Sequence, residues 1–258
     1  MTGDKNISLA IFRCAIGNYD VLLPERVIIK DADYFLFTDN PKLNVYPYKR
    51  IHVNVIDHSP SLTNRDIKLK IPDILQEYDL TIYLDSNIAV FSDLSPLIEE
   101  FLSSGKEMGS FSHPYFKSMD DEIDGCVKAG KANESVIRKE IKFYDSMPDL
   151  PRLRLSDNSI LFRRKPSKNM LNAMNYWYEL VKRYSGRDQI SLPFVKAKFN
   201  IDDFFFSFSP RSPGNQYFFV FPHRPSSNNR LCFKSIILWA RFVFKLCIRE
   251  LIYLKNMV

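Results

Sequence analysis

Two oxygen-bearing side chains, Asp85 and Asn87, directly follow the compact apolar run Leu80–Leu84. The run is typical of a buried strand, and ligands of open α/β sheets bind beyond the carboxyl ends of strands. Residues two apart on an extended strand point to the same side, so these two side chains can share a ligand. Carboxylate and amide oxygens suit Mg²⁺ or Mn²⁺, which can bridge a diphosphate. The alternative is a polar turn, for which Asp-Ser-Asn is common.

Two cations, Arg65 and Lys68, lie three residues apart upstream of this tripeptide, in a segment of helical character. Residues with this spacing share one face of a helix. The pair can therefore hold phosphate groups or position a carboxylate. The alternative is a solvated helix face with no ligand.

The elements that must position these residues alternate between strands and helices. Apolar runs predict strands at 9–15, 34–37, 51–56, 80–84, 108–112, 160–162 and 217–221. Helical periodicity is found at 61–75, 94–102, 134–145 and 167–184. This order predicts an α/β fold with a mostly parallel central sheet.

Two of the predicted helices carry more detailed signals. Ser61 or Thr63 is predicted to cap the helix at 61–75, and Pro72 is predicted to kink it. The helix at 167–184 places a stripe of large apolar residues at helical spacing, namely Met170, Met174, Trp177 and Leu180. Such a stripe predicts core packing rather than a cofactor site.

Five short motifs follow one another in an order that resembles a known family. They are YFLFTDN at 34–40, Arg65-x-x-Lys68 with Pro72, YLDSNI at 83–88, His113-Pro114 and RDQISL at 187–192. The sequence resembles, from about residue 8 to 225, a glycosyltransferase-like family of bacterial polysaccharide clusters and plant mucilage and cell-wall proteins. The resemblance implies a single GT-A-like (Rossmann-like) domain at 1–229, with a nucleotide-binding sheet and a DxD-like metal site.

The resemblance also implies roles for individual residues. Asp85, Asn87 and the late His223 would hold Mn²⁺ or Mg²⁺, although a typical DxD motif ends in Asp and the amide of Asn87 is a weaker ligand. A nucleoside diphosphate sugar, expected to be UDP-linked, would be bound by residues that follow strands and by the upstream cations. These donor-binding residues are Gly17, Thr38, Asp39, Arg65, Lys68 and Asp85.

The element Arg187-Asp188-Gln189 resembles the Asp-Gln element of retaining GT-A enzymes, where it faces the donor sugar. Asp188 would hydrogen-bond sugar hydroxyls or act as a base for an acceptor hydroxyl. Arg187 would pair with a phosphate or with Asp188. The alternative is a helix start, where Asp interacts with the positive end of the dipole. Family members also carry acidic residues after His-Pro, whose nearest equivalents here are Asp120, Asp121 and Glu122.

Composition and charge restrict the classes of function. The 258 residues carry a net charge of +6. This charge favours anionic partners, and the alternative is a basic surface that is only solvated. The four cysteines lack metal-site spacing and are expected to be reduced thiols. The polar N-terminus does not resemble a secretory signal, so we expect a cytoplasmic protein, either free or peripheral at the inner face of a membrane.

The segment 230–258 is apolar but carries six Lys and Arg residues within an arc of about 120° on a helix. Its uncharged runs are too short to span a bilayer. Two interpretations stay open: an amphipathic helix in the headgroup region, or a helix packed on its own domain with a basic outer face.

The sequence therefore predicts a hexosyltransferase that uses a sugar nucleotide, with a polysaccharide or lipid-linked glycan as acceptor, as in capsule or O-antigen synthesis. One alternative is a lipid-amide hydrolase, which has been proposed for some relatives but normally needs a His-rich metal site. The other is a basic binding module without catalysis, for nucleic acid or a membrane. Because the densest basic clustering lies on the apolar tail, no nucleic-acid partner is expected.

Overall fold

The computed structural model describes residues 7–17, 20, 22–113, 118–130, 132–147, 154–212, 214–221, 240, 243, 244 and 247. The strands are β1 Leu9–Ala15, β2 Ala32–Thr38, β3 Lys49–His52, β4 Leu80–Leu84, β5 Ile88–Val90, β6 Met108–Ser112, β7 Ser156–Arg164, β8 Asp203–Phe206 and β9 Phe218–Val220. The α-helices are α1 Pro60–Leu69, α2 Ser95–Ser103, α3 Met119–Lys128, α4 Glu134–Asp145, α5 Lys168–Arg183 and α6 Asp188–Phe199.

Seven strands form the main sheet, in the order β3-β2-β1-β4-β7-β6-β8. The pairs β3–β2, β2–β1, β1–β4 and β6–β8 are parallel, while β7 is antiparallel to both β4 and β6. The predicted α/β fold with a mostly parallel sheet is confirmed. The strand predicted at 217–221 is shorter and pairs with β5 in a separate two-stranded sheet.

Alternate residues of the central strands bury opposite faces of the sheet. Phe12, Tyr83 and Leu161 belong to a core shared with α1, α5 and α6. Their neighbours in sequence pack into a second core with α2 and β9. The stripe on α5 lies in the first core, and Trp177 is fully buried there, so the core-packing interpretation is confirmed.

The helix predicted at 61–75 is shorter than expected. It begins at Pro60, with Ser59 as its cap, and ends at Leu69. Ser59 Oγ accepts a hydrogen bond from the Leu62 N–H at 3.2 Å, so the predicted caps Ser61 and Thr63 are wrong. Pro72 lacks an N–H and disfavours helical geometry in the residue before it, so the chain continues as a separate 3-10 turn at Asp73–Leu75 instead of a kinked helix.

The predicted C-terminal helix at 230–258 lies almost wholly outside the described residues. Positions 240, 243, 244 and 247 are helical and exposed. Across the described ranges, no helix is both long enough and apolar enough to cross a membrane.

Candidate active site

Several polar residues meet at one edge of the main sheet. The parallel strands β1, β2, β4 and β6 end there, and the antiparallel strand β7 begins there. Leu84 pairs with Ile160, and Ser112 pairs with Ser156, so the chain after β4 and after β6 flanks the start of β7. This is the edge at which open α/β sheets bind ligands.

Asp85 begins a turn. The strand ends at Leu84, and the Ile88 N–H donates to the Asp85 carbonyl at 3.0 Å. Ser86 Oγ donates to the Cys14 carbonyl at 2.6 Å, and Asn87 Nδ2 donates to the Phe221 carbonyl at 2.6 Å. The expectation that an extended strand continues to Asn87 is therefore wrong, because Ser and Asn side chains bond to backbone groups and favour the turn.

A buried ion pair supports this turn from β1. Arg13 and Glu25 lie 2.5 Å apart, with both side chains almost fully buried. Arg13 Nη1 also donates to the Ser86 carbonyl at 3.2 Å, and Arg13 Nε donates to the Tyr48 hydroxyl. The turn that carries Asp85 is thus held in place by groups deep in the sheet.

Lys68 joins two carboxylates that are far apart in sequence. Its ammonium lies 3.3 Å from Asp85 Oδ1 and 3.0 Å from Asp188 Oδ2. The Tyr83 hydroxyl donates to the same Asp85 oxygen at 2.7 Å, and the Lys68 ammonium lies over the Tyr83 ring at 5.3 Å. Lys68 is 3% exposed, whereas the Asp85 side chain is 25% exposed. Three predicted site residues therefore converge, and Asp85 is the one that solvent reaches most.

The cations around Asp188 set its ionisation. Burial alone would raise the pKa of this carboxyl, but the charges of Lys68, Arg65 and Arg187 outweigh burial and hold the pKa well below its usual range. Burial and the neighbouring Asp85 raise the pKa of Tyr83 well above its usual value, so this phenol stays a hydrogen-bond donor. A carboxylate with so low a pKa is a poor proton acceptor at neutral pH. Asp188 is therefore better suited to charge stabilisation or hydrogen bonding than to general-base catalysis.

Arg187 and Gln189 contact each other at the start of α6. Arg187 Nη2 donates to Gln189 Oε1 at 3.0 Å and lies 3.6 Å from Glu122 Oε1. Arg187 occupies the N-cap position of α6 without a side-chain capping bond, and Asp188 is in the first turn, so the predicted helix start and the convergence on Lys68 are both present.

The acidic residues at 120–122 have different roles. Asp121 forms a capping box with Ser118 on α3, while Glu122 is 2% exposed and points into the protein. Its second oxygen lies 3.4 Å from His113 Nε2. Burial is the main reason why the pKa of His113 is lowered, so this imidazole is neutral at physiological pH. Glu122 thus links the end of β6 to Arg187.

Three of the six residues predicted to bind the donor, Gly17, Thr38 and Asp39, lie at the ends of β1 and β2. The Gly17 N–H donates to both carboxylate oxygens of Asp39 at 3.2 Å. Thr38 is buried, and its hydroxyl accepts a hydrogen bond from the Asn40 N–H at 3.1 Å. Gly17 has a φ of +65°, and a Cβ there would meet Pro60 at 2.5 Å, so the start of α1 is packed against this loop.

The fit of a divalent metal depends on the Asp85–Asn87 turn. In the part of the chain that the structure describes, no group of three or more His, Cys, Asp or Glu side chains could hold a metal ion. Asn87 Oδ1 is buried and has no hydrogen-bond partner. His223 lies outside the described residues, two positions after Phe221. The Phe221 N–H donates to the Asn87 carbonyl, and the Phe221 carbonyl accepts from Asn87 Nδ2. Carboxylate and amide oxygens are the donor types that a hard cation takes, but because the chain turns here, strand spacing no longer places the two side chains on one side.

Sequence reasoning missed the polar start of β7 and gave no role to the Tyr83 hydroxyl, and it named Glu122 only as one of three acidic residues at 120–122. Residues Ser156–Ser159 are all buried at the edge described above. The available signal was the polar run Ser-Asp-Asn-Ser directly before the apolar residues at 160–162. Polar residues at that junction could have been assigned to the edge of the sheet.

Comparison with known proteins places these residues in a family. The model of the TOD1/MUCI70, glycosyltransferase-like domain matches residues 55–211. A search of the curated proteins found no match. Among solved structures, the chain is similar to one titled as the apo structure of the bifunctional glycosyltransferase WbbM, with 11% identity and a TM-score of 0.45. That match covers 80% of this chain but only 40% of WbbM.

Proposed function

We propose, since the chain belongs to the TOD1/MUCI70 glycosyltransferase-like domain family, that it transfers a hexose from a nucleoside diphosphate sugar to a polysaccharide or lipid-linked glycan. The observation that carries the proposal is the contact of the Lys68 ammonium with both Asp85 and Asp188 at the ligand-binding edge of the sheet. All three residues lie within the segment that matches the family.

The reaction requires stabilisation of the departing diphosphate. Asp85 and Asn87, with His223, would hold Mn²⁺ or Mg²⁺, which supplies positive charge to the phosphates when bound. Lys68 is buried between two carboxylates, so we assign it the positioning of these groups rather than direct contact with phosphate. Arg65, on the same helix and close enough to affect the pKa of Asp188, is the cation that we assign to the diphosphate.

Asp188 would bind hydroxyl groups of the donor sugar. Its pKa lies far below neutrality, so it accepts hydrogen bonds without taking a proton. This favours a reaction in which the carboxylate is not the base that activates the acceptor. Together with the resemblance of Asp188-Gln189 to retaining enzymes, it supports retention at the anomeric carbon.

The C-terminal segment 230–258 would suit an enzyme whose acceptor is embedded in a membrane. Val243 and Phe244 are helical and exposed, in a sequence with six cations on one arc. We place the enzyme at the cytoplasmic face of a membrane, bound through 230–258. The full-length protein should sediment with anionic phosphatidylglycerol vesicles, and Phe244→Glu should weaken this binding. Failure of the unmodified protein to bind such vesicles would contradict the membrane assignment.

Donor binding tests the proposed function. A panel of UDP- and GDP-linked hexoses, each with and without Mn²⁺, would be screened by thermal shift, because a ligand that binds the folded state raises the apparent stability. We expect one donor to raise the melting temperature, with a larger shift when Mn²⁺ is present. Asp85→Ala should abolish the effect of Mn²⁺. No shift with any donor would contradict the proposal.

A further inference from the structure

The first four residues of β7 are polar but buried in the middle of the main sheet. Ser156, Asp157, Asn158 and Ser159 are between 0% and 4% exposed. Buried polar groups in folded proteins nearly always have hydrogen-bond partners. Each of these four residues, at the ligand-binding edge of the sheet, is therefore expected to have a hydrogen-bond partner.

Two of the four residues are fully accounted for by their neighbours. Asp157 accepts a hydrogen bond from Arg211 Nε at 2.8 Å and another from the Ser159 N–H at 3.1 Å. Burial would raise the pKa of Asp157, but the Arg211 charge and these bonds hold it below its usual range, so Asp157 is ionised. Ser156 Oγ donates to Asn158 Oδ1 at 2.6 Å.

The other two residues each keep a polar atom without a partner. Asn158 Nδ2 and Ser159 Oγ are buried and make no hydrogen bond within the described part of the chain. A buried polar atom without a partner destabilises the folded protein. Its retention is explained if a bound molecule supplies the missing partner.

Ser159 lies beside Asp85. The Asp85 N–H donates to the Ser159 carbonyl at 2.8 Å, which extends the antiparallel register of Leu84 with Ile160 by one residue. Directly opposed residues of an antiparallel pair have Cβ atoms about 4.5–5.5 Å apart on the same face. The Ser159 hydroxyl is therefore a neighbour of the carboxylate that contacts Lys68.

We propose that the Ser159 hydroxyl, beside Asp85, forms the subsite that binds a hydroxyl group of the donor sugar, an assignment that rests on the proposed function. Sugar hydroxyls both donate and accept, and the Ser159 hydroxyl can do both. A phosphate is a poor fit, because the Arg211 charge beside the subsite is already paired with Asp157. The subsite selects among sugars through the positions of their hydroxyls.

The experiment compares the binding of nucleotides with and without a sugar by isothermal titration calorimetry. The probes are UDP, GDP, UDP-glucose, UDP-galactose and GDP-mannose, each with Mn²⁺. Ser159→Ala should leave the affinity for the free nucleoside diphosphate unchanged and weaken the sugar nucleotide about tenfold, the effect of losing one hydrogen bond.

Thr81→Val is the matched control, because Thr81 carries a buried hydroxyl in β4 that bonds to the Arg163 carbonyl. This variant should have a lower melting temperature than the unmodified protein and should bind all five nucleotide probes with unchanged affinity. Ser159→Ala should melt at the same temperature or higher without ligand, since it removes a hydroxyl that has no partner in the free protein.

The outcomes separate this assignment from the proposed function. If the unmodified protein binds neither nucleotides nor sugar nucleotides, the proposed function fails and the subsite fails with it. If it binds sugar nucleotides but Ser159→Ala weakens the binding of UDP or GDP as much as that of the sugar-linked forms, or changes neither, only the subsite is overturned. Selective loss of sugar-dependent affinity supports it.

Discussion

Replacement of Lys68 by Met should destabilise the protein strongly, because it removes the cation between two carboxylates. Met is similar in length to Lys and fills the space beside the Tyr83 ring, so the main change is the lost charge. Asp188 then stays buried, and Arg65 and Arg187 are the remaining positive charges that lower its pKa. Removal of one partner of a buried ion pair costs about 3–5 kcal/mol. Asp85 is partly exposed, so we expect a loss of about 3 kcal/mol in the free energy of unfolding at pH 7.

The loss should depend on pH. The folded-state pKa of Asp188 lies below its unfolded value of about 3.9, so its ionised form adds stability above that pH. This stability is lost as the pH falls through the folded-state pKa. In the variant the pKa of Asp188 rises toward the unfolded value, and less stability remains to be lost. The difference between the two proteins should therefore be largest above pH 5 and should shrink in acid.

Urea denaturation at several pH values would measure both effects. Lys70→Met is the control, because Lys70, directly after α1, forms an ion pair with Asp66 of α1, and both side chains are partly exposed. Lys70→Met should lower the free energy of unfolding by less than about 1 kcal/mol. Asp188→Asn added to Lys68→Met should restore part of the stability by removing the unpaired charge. Equal losses for Lys68→Met and Lys70→Met, or a loss that does not change with pH, would refute the reasoning.

Two further substitutions test the packing that holds the site. Gly17→Ala should cost about 2–4 kcal/mol in urea denaturation, because its φ is positive and the new Cβ would meet Pro60. Gly105→Ala, with a positive φ but no atom within 4 Å of the new Cβ, should cost only about 1–2 kcal/mol, and an equal cost at both sites would contradict the steric account. Trp177→Phe should lower stability by about 1–3 kcal/mol, since the indole N–H donates to the Asp188 carbonyl at 3.1 Å. Unchanged stability in that variant would show that this bond does not hold the start of α6.

The parts of the fold that could be predicted from sequence are those with a strong local signal. β1 and β4 are apolar except for Arg13 and Thr81, because both of their faces are buried. α5 was predicted to within one residue at each end, because its apolar stripe and its Ser167 cap are both local features. By contrast, α6 contains Pro193 and is buried on nearly all sides, so it shows neither an amphipathic pattern nor an uninterrupted helical sequence.

The candidate site was only partly predictable, because its contacts join distant segments. The residues Asp85, Lys68 and Asp188 were identified, but no local pattern indicated that Lys68 contacts both carboxylates. Glu122 is buried because of the way its helix packs, and the polar start of β7 is buried because of the strands beside it. Burial of a polar residue is set by tertiary packing, and sequence periodicity does not report it.

Release of nucleoside diphosphate from a sugar nucleotide tests the central claim most directly. The unmodified protein, with Mn²⁺ and the donor identified by thermal shift, should release UDP or GDP by hydrolysis or by transfer to a glycan acceptor. Asp85→Ala should abolish this release while the variant remains folded, with a melting temperature lowered by the loss of the acceptor for the Tyr83 hydroxyl. Release at an undiminished rate by the folded variant would contradict the assignment of Asp85 and, with it, the proposed active site.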